Sequence, residues 1–221
     1  MRVILFGATG MVGAGALIEC LTADRVTAIV SVSRRPTGVA HPKLREVLHS
    51  DFFNYSAIQS EFAGADACFF ALGVSAVGKS EADYSHMTFD LTMAAATAIA
   101  KESPHATFSY VSGMGTDSTE HGRVMWARVK GKTENALLAL PFRAAYMFRP
   151  GFIQPMKGVQ SSVRLYRTAY VVMTPIFPFL RSLFPRYVTT SERVGQALIN
   201  VSDRGYPKQI LESDDINRAS V

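Results

Sequence analysis

Apolar residues along this chain fall into short runs that alternate between two periods. "RVILF" (2–6) is apolar almost throughout and stops at a glycine, and "VTAIVSVS" (26–33) and "DACFFALG" (66–73) have the same form. Runs that are apolar on both faces suit parallel strands covered by helices on each side. Between them the period lengthens. "MVGAGALIECLTA" (11–23) carries apolar residues at helical spacing, with small residues packed close together. "YSAIQSEFAGA" (55–65) predicts an amphipathic helix, and "LREVLHSDF" (44–52) a weaker strand.

The alternation continues. "SEADYSHMTFDLTMAAATAIAKES" (80–103) predicts a long helix, opened by the capping-box-like pair Ser80 and Asp83 and closed by Pro104. "ATFSYVSG" (106–113) is a fifth strand, "GRVMWARVKGKTENALLAL" (122–140) a helix, and "FRAAYMFRPG" (142–151) a sixth strand. Strands alternating with helices in this way imply βαβ units joined by right-handed crossovers. The expected fold is α/β, a doubly wound parallel sheet of Rossmann type. After residue 151 the rhythm breaks, with prolines at 155, 175, 178 and 185 in an aromatic-rich stretch. A last helix, "SERVGQALINVSD" (191–203), follows a Thr189…Glu192 capping spacing, and "KQILE" (208–212) is a possible final strand. The chain is expected to form a single domain over 1–221. Residues 1–151 would be its core, and 152–221 a variable cap on the open end of the sheet.

Composition narrows the partners. Lys plus Arg number 23 against 18 Asp plus Glu, a net charge of +5, which suits a bound anion such as a nucleotide phosphate. The basic residues are scattered, with Arg34-Arg35 the densest pair, so nucleic acid is not an expected partner. Cys20 and Cys68 lie in apolar runs without metal or redox spacing, which predicts reduced core thiols and a cytoplasmic protein. The first strand begins at residue 2, leaving no room for a signal sequence. "AYVVMTPIFPFL" (169–180) is the most membrane-like stretch, yet two prolines and its length argue against a transmembrane segment. It reads as pocket lining, with peripheral apolar contact as the minority reading. Neither the substrate nor the oligomeric state can be read from the sequence.

"LFGATGMVGAGAL" puts Gly7, Gly10 and Gly13 between the first strand and the first helix, with Thr9, Met11 and Val12 among them. Glycine lets the backbone turn tightly and approach a pyrophosphate, which the helix N-terminus then receives on unpaired N–H groups. The spacing is G-x-x-G-x-x-G, and its place at the start of a series of βαβ units is the context that supports cofactor binding. A chain built for NAD usually ends its second strand on an acidic residue that takes the ribose 2′-hydroxyl. Here Ser33, Arg34 and Arg35 stand there instead. Guanidinium forks match a 2′-phosphate, so NADP(H) is expected in preference to NAD(H).

These motifs together resemble the short-chain dehydrogenase/reductase superfamily, in its atypical NAD(P)-binding, epimerase-like branch. Within it the chain is most similar to the small Tat-interacting-protein-like oxidoreductases. "GATGMVG", "SRRP", "SDF", "FALG", "YVSGMG", "WARVKGKTE" and "FRPG" carry the resemblance in order over about residues 1–155. The resemblance implies that Asp51 and Phe52 flank the adenine and that Ala71, Leu72 and Gly73 pass beside a cofactor ribose. It places Pro150 and Gly151 near the nicotinamide. It makes Ser112 the serine that orients a substrate carbonyl or hydroxyl, and Lys130 the lysine on the nicotinamide ribose that tunes the acid/base group.

One position departs from that pattern. The superfamily pairs Y-x-x-x-K on one helical face, whereas this chain has W-x-x-x-K, Trp126 and Lys130. An indole N–H donates but has no accessible pKa for moving a proton. A positioned acid/base group contributes about 10²–10⁴-fold, so its loss must be met by water, Ser112 or another acid, or turnover is absent. His121 is a conceivable replacement, though a solvated loop histidine is the plainer reading. Asp90 either anchors its helix near the site or is locally bonded. Tyr84, Tyr110 and Tyr146 lack the spacing of the missing phenol. Two classes of function follow. One is an NADP(H)-dependent oxidoreductase or epimerase-like enzyme for a small, fairly apolar substrate. The other is a cofactor-binding sensor or interaction protein without turnover.

Overall fold

The computed structural model describes residues 1–156 and 187–221. The proline- and aromatic-rich stretch read above as pocket lining lies outside them. Seven parallel strands form one sheet: β1 (Arg2–Phe6), β2 (Ala28–Ser33), β3 (Leu44–Leu48), β4 (Ala67–Phe70), β5 (Thr107–Val111), β6 (Ala144–Arg149) and a C-terminal strand, Ile210–Glu212. Their spatial order is 3-2-1-4-5-6 with the C-terminal strand last, which is the order of the Rossmann fold with one strand added. Strand order reverses between β1 and β4, so the crevice for a ligand opens where Phe6 and Phe70 end.

Both faces of the sheet are buried, as the sequence runs require. On β1, Val3 and Leu5 point into one core with Leu17, Cys20, Phe69 and Phe148. Ile4 and Phe6 point into the other with Val30, Phe70, Phe108 and Leu137. The two cysteines lie on opposite faces as free thiols, and burial pushes both well above the usual thiol range. Helix α1 (Met11–Thr22) covers the first face, and α4 (Met125–Leu138) the second.

Three expectations are corrected. The amphipathic segment at 55–65 is a 3₁₀ helix, Ser56–Phe62, with Phe62 as its buried residue. The long helix at 80–103 is α2 (Glu81–Ser85) and α3 (Leu91–Glu102), joined by a π-helical turn, His86–Asp90. Ser80 caps α2 as expected, its Oγ accepting from Asp83 N. Asp90 is locally bonded to His86 Nδ1 at 2.9 Å and half exposed. The third correction concerns the C-terminus. Counting β7 (Phe152–Gln154) and β8 (Val188–Thr190), which pair in a small second sheet, the last strand is β9 (Ile210–Glu212), and it pairs with β6. Helix α5 (Ser191–Arg204) lays Val194, Ala197 and Leu198 into the same core as α1, and α6 (Ser213–Ala219) adds Ile216. Residues 187–221 therefore build the sheet and its core instead of capping it. The cap of α5 is Thr190, which accepts from Arg193 N, one residue later than the Thr189…Glu192 spacing suggests.

The segment between β5 and α4 is pinned to α4 by backbone contact. Asp117 N donates to the Ala127 carbonyl at 3.0 Å. Gly131 faces the same residue, and a Cβ there would lie 1.7 Å from the Asp117 carbonyl oxygen. Gly131→Ala is expected to destabilise by about 1–3 kcal/mol through overpacking, although alanine is the better helix former. Denaturant unfolding checks this; a variant as stable as the parent would show that the loop does not dock there.

Candidate functional site

The turn after β1 is held open for a ligand by two close backbone approaches. Gly7 has φ +83°, and a Cβ on it would lie 2.6 Å from the Ala71 carbonyl oxygen. A Cβ on Gly13 would lie 2.0 Å from the Gly7 carbonyl oxygen, so only glycine lets α1 start this close to β1. Gly10 is the N-cap of α1, with no side-chain cap and no acidic residue in the first turn. The Ala14 N–H bonds back to the Gly10 carbonyl at 2.7 Å. The N–H groups of Met11, Val12 and Gly13 precede the first i→i−4 bond and face the crevice end of the helix. This cradle and its positive dipole end fit a pyrophosphate.

A cavity of about 700 Å³ lies over this turn, lined by Gly7, Thr9, Gly10, Arg34 and Arg35, with Ala71 to Gly73 on the opposite wall. The connection at 34–43 carries no helix, so the cavity runs on along α1 past Leu17, Ile18 and Leu21. A second cavity of about 190 Å³ adjoins it, lined by Asp51, Phe52, Leu72, Met87 and Leu91, and it shares Arg34 with the first. Ser33 does not line either cavity. It is buried and its Oγ donates to the Arg35 carbonyl at 2.6 Å, which shapes the turn that presents both arginines. Phe52 is both cavity wall and core, packing edge-on against Phe6 and Tyr55. Met87 comes from the π-helical turn, a feature that periodicity could not have revealed.

The other half of the site is closed by paired charges. Lys130 is largely buried, and its Nζ donates to the Ser112 carbonyl. Burial pushes its ammonium down to about 8, with Glu134 opposing the shift. The Ser112 hydroxyl donates inward to Glu134 Oε1 at 2.5 Å, with the Phe148 carbonyl 3.1 Å away as a second acceptor. Its proton is committed there, leaving its lone pairs as acceptors for a substrate hydroxyl. Glu134 is fully buried and takes the guanidinium of Arg149 on both oxygens. Pro150 and Gly151 follow directly: the Pro150 carbonyl accepts from Met114 N at 2.9 Å, and Gly151 N donates to Ser213 Oγ at 2.8 Å. Ser112, Lys130, Pro150 and Gly151 are thus brought together, but they line neither cavity. Glu134 and Arg149 were missed in the sequence, because their pairing joins two different elements, α4 and β6.

The Trp126 ring lies against the loop after β5, within 3.5 Å of where a Gly115 Cβ would be. Among the described residues none of the Tyr84, Tyr110 and Tyr146 hydroxyls stands free beside Lys130. Tyr84 and Tyr110 are buried, and the Tyr146 hydroxyl accepts from Tyr206 N. His121 is exposed on its loop.

A family model described as NAD(P)H-binding matches residues 7–140. The chain belongs to that family. It is 26% identical over 212 residues to Protein FMP52, mitochondrial, of Debaryomyces hansenii, covering 91% of this chain and 88% of that one. To Protein fmp52-2, mitochondrial, of Neosartorya fischeri it is 30% identical over 162 residues, covering 72% and 69%. In fold it matches a putative NAD-dependent epimerase/dehydratase from Bacillus halodurans with a TM-score of 0.65 at 18% identity, covering 100% of this chain and 98% of that one. The expected NAD(P)-binding family and the epimerase-like fold are therefore borne out. The cytoplasmic expectation is corrected, because these relatives are named mitochondrial; buried reduced thiols argue only against an oxidising compartment. Among the described residues no helix of this NAD(P)H-binding protein is long and apolar enough to cross a membrane.

The Lys130 shift has a consequence for stability. Its folded pKa of about 8 lies below the ordinary 10.5, so between those values the unfolded chain holds more protons. Lys130 therefore weakens the fold in full below pH 8, and that penalty fades as pH rises to 10.5. Unfolding free energies of the parent and Lys130→Met should converge over this window in the absence of cofactor. A pH-independent difference would refute the buried, shifted ammonium.

Proposed function

We propose that this chain is an oxidoreductase of the short-chain dehydrogenase type that binds NADP(H) in preference to NAD(H). Its substrate would be a small, fairly apolar carbonyl or hydroxyl compound. The observation that carries the reading is the place of Arg34, on the wall shared by the phosphate-side cavity and the cavity holding Asp51 and Phe52. Among the described residues neither Arg34 nor Arg35 has a carboxylate partner. Two unpaired guanidinium groups on the phosphate-side cavity, that of Arg34 also on the wall of the second, suit a 2′-phosphate. A bound nicotinamide would supply the hydride chemistry. The chain's own groups would hold and orient it: Lys130 on the ribose, Ser112 as an acceptor for a substrate hydroxyl, and Pro150 and Gly151 beside the ring.

A second reading is a cofactor-binding sensor or interaction protein without turnover. Trp126 favours it, since an indole fills the place of the acid/base phenol, and so does the inward hydrogen bond of Ser112.

Titration with NADPH and NADH tests the first claim. Arg34→Ala combined with Arg35→Ala is expected to weaken NADPH by about 10–100-fold, the worth of a charge-assisted contact, and to leave NADH nearly unchanged. Equal losses would remove the 2′-phosphate assignment. Nicotinamide absorbance with a panel of carbonyl compounds separates the two readings. If the site is an enzyme's, Trp126→Tyr should raise turnover by about 10²-fold or more. Binding without turnover in both proteins selects the sensor.

A further inference from the structure

Beneath the closed half of the site lies a buried carboxylate that touches neither cavity. Glu134 is fully buried one helical turn beyond Lys130 on α4. It accepts from Ser112 Oγ at the end of β5 and from Arg149 Nε and Nη2 at the end of β6. Arg149 Nη2 also donates to Ser118 Oγ at 2.5 Å, and its Nη1 lies 3.7 Å from Glu212 at the end of β9. One carboxylate thus ties together α4, the β5 loop and the β6 terminus. Those three segments carry Lys130, Ser112 and Pro150-Gly151. None of them carries a residue of the phosphate cradle or of the two cavities.

We infer that Glu134 is a positioning residue for the nicotinamide half of the site: by fixing Ser112 and Arg149 it sets where the Lys130 amine and the Pro150-Gly151 backbone stand. The coupling is direct in atoms. Glu134 holds the Ser112 side chain, and the Ser112 carbonyl holds Lys130 Nζ. Glu134 holds Arg149, and the next two residues are the Pro150-Gly151 turn. Stability alone is a poor reason for the arrangement. Removing two charges from water costs several kcal/mol per ion, and apolar pairs of similar volume often serve a fold as well or better. Geometry is what a rigid, bidentate, fully satisfied pair provides and an apolar pair does not.

The inference rests on the NADP(H) reading, and the test separates the two. The full chain and Glu134→Gln are titrated with NADPH, followed by nicotinamide fluorescence, and with 2′,5′-ADP, which lacks the nicotinamide half. Glu134→Gln should weaken NADPH by about 10-fold or more and diminish the bound-nicotinamide emission, since it breaks charge-assisted bonds. Its 2′,5′-ADP affinity should stay within about twofold, because the adenosine half shares no partner with Glu134. A second variant, Glu134→Leu with Arg149→Met, replaces the pair by apolar side chains and should keep the melting temperature while losing the same NADPH affinity. It decides the matter should the single variant not fold. Equal loss of both ligands in a folded variant would mark Glu134 as structural and overturn the inference. Unchanged NADPH binding in the paired variant would overturn it too. A parent protein that binds neither ligand would refute the NADP(H) reading itself, and the inference with it.

Discussion

The site depends first on backbone lying against backbone where β1 hands over to α1. Gly13 comes so near the Gly7 carbonyl that a single added carbon would overlap it at 2.0 Å. That approach draws the N-terminus of α1 over the end of β1, at the point where strand order reverses toward β4. The Gly7 turn presses in its turn on Ala71, whose carbonyl oxygen would lie 2.6 Å from a Cβ there, so the β4 end becomes the opposite wall of the same cavity. The cradle therefore follows from two missing side chains and a strand order. Bulk at either glycine would move the helix, the wall and the dipole end together.

The two halves of the site use charge in opposite ways. On the side of the glycine turn Arg34 and Arg35 stand unpaired among the described residues, beside a helix end with no acidic residue in its first turn. Their charge is left for an anion to neutralise, which favours association and selectivity. On the other side Glu134, Arg149 and Glu212 face one another, Glu134 fully buried and Arg149 nearly so. Charge there is paired within the protein and gives fixed geometry instead of attraction.

Much of this was legible in the sequence because it is local. The glycine spacing, the Arg34-Arg35 pair, the both-face apolar strands and the Ser80 cap each depend on residues a few positions apart. What was hidden depends on distant partners. Glu134 carries no local signal until β6 brings Arg149 under α4, and Ser112 looks available until its hydroxyl donates to the same carboxylate. The π-helical turn at His86–Asp90 has no periodic signature, yet it places Met87 in a cavity wall. The C-terminal thirty-odd residues read as an appendage because β9 is only three residues long. Its partner β6 makes it part of the sheet.

Trp126 takes on a different meaning in this setting. By the resemblance to short-chain dehydrogenases, Lys130 would serve two purposes, holding a ribose and lowering the pKa of a neighbouring phenol. With an indole beside it, only the first remains on that helical face. The buried carboxylate supports that first purpose, since it orders Ser112 and through it the lysine. An apolar pair could join α4 to β6 as well, whereas the Arg–carboxylate pair also fixes geometry at Ser112 and at the Pro150-Gly151 turn. The buried network and the residue at position 126 are thus separable features, and the proposed part of the network in cofactor geometry stands whichever group, if any, moves the proton.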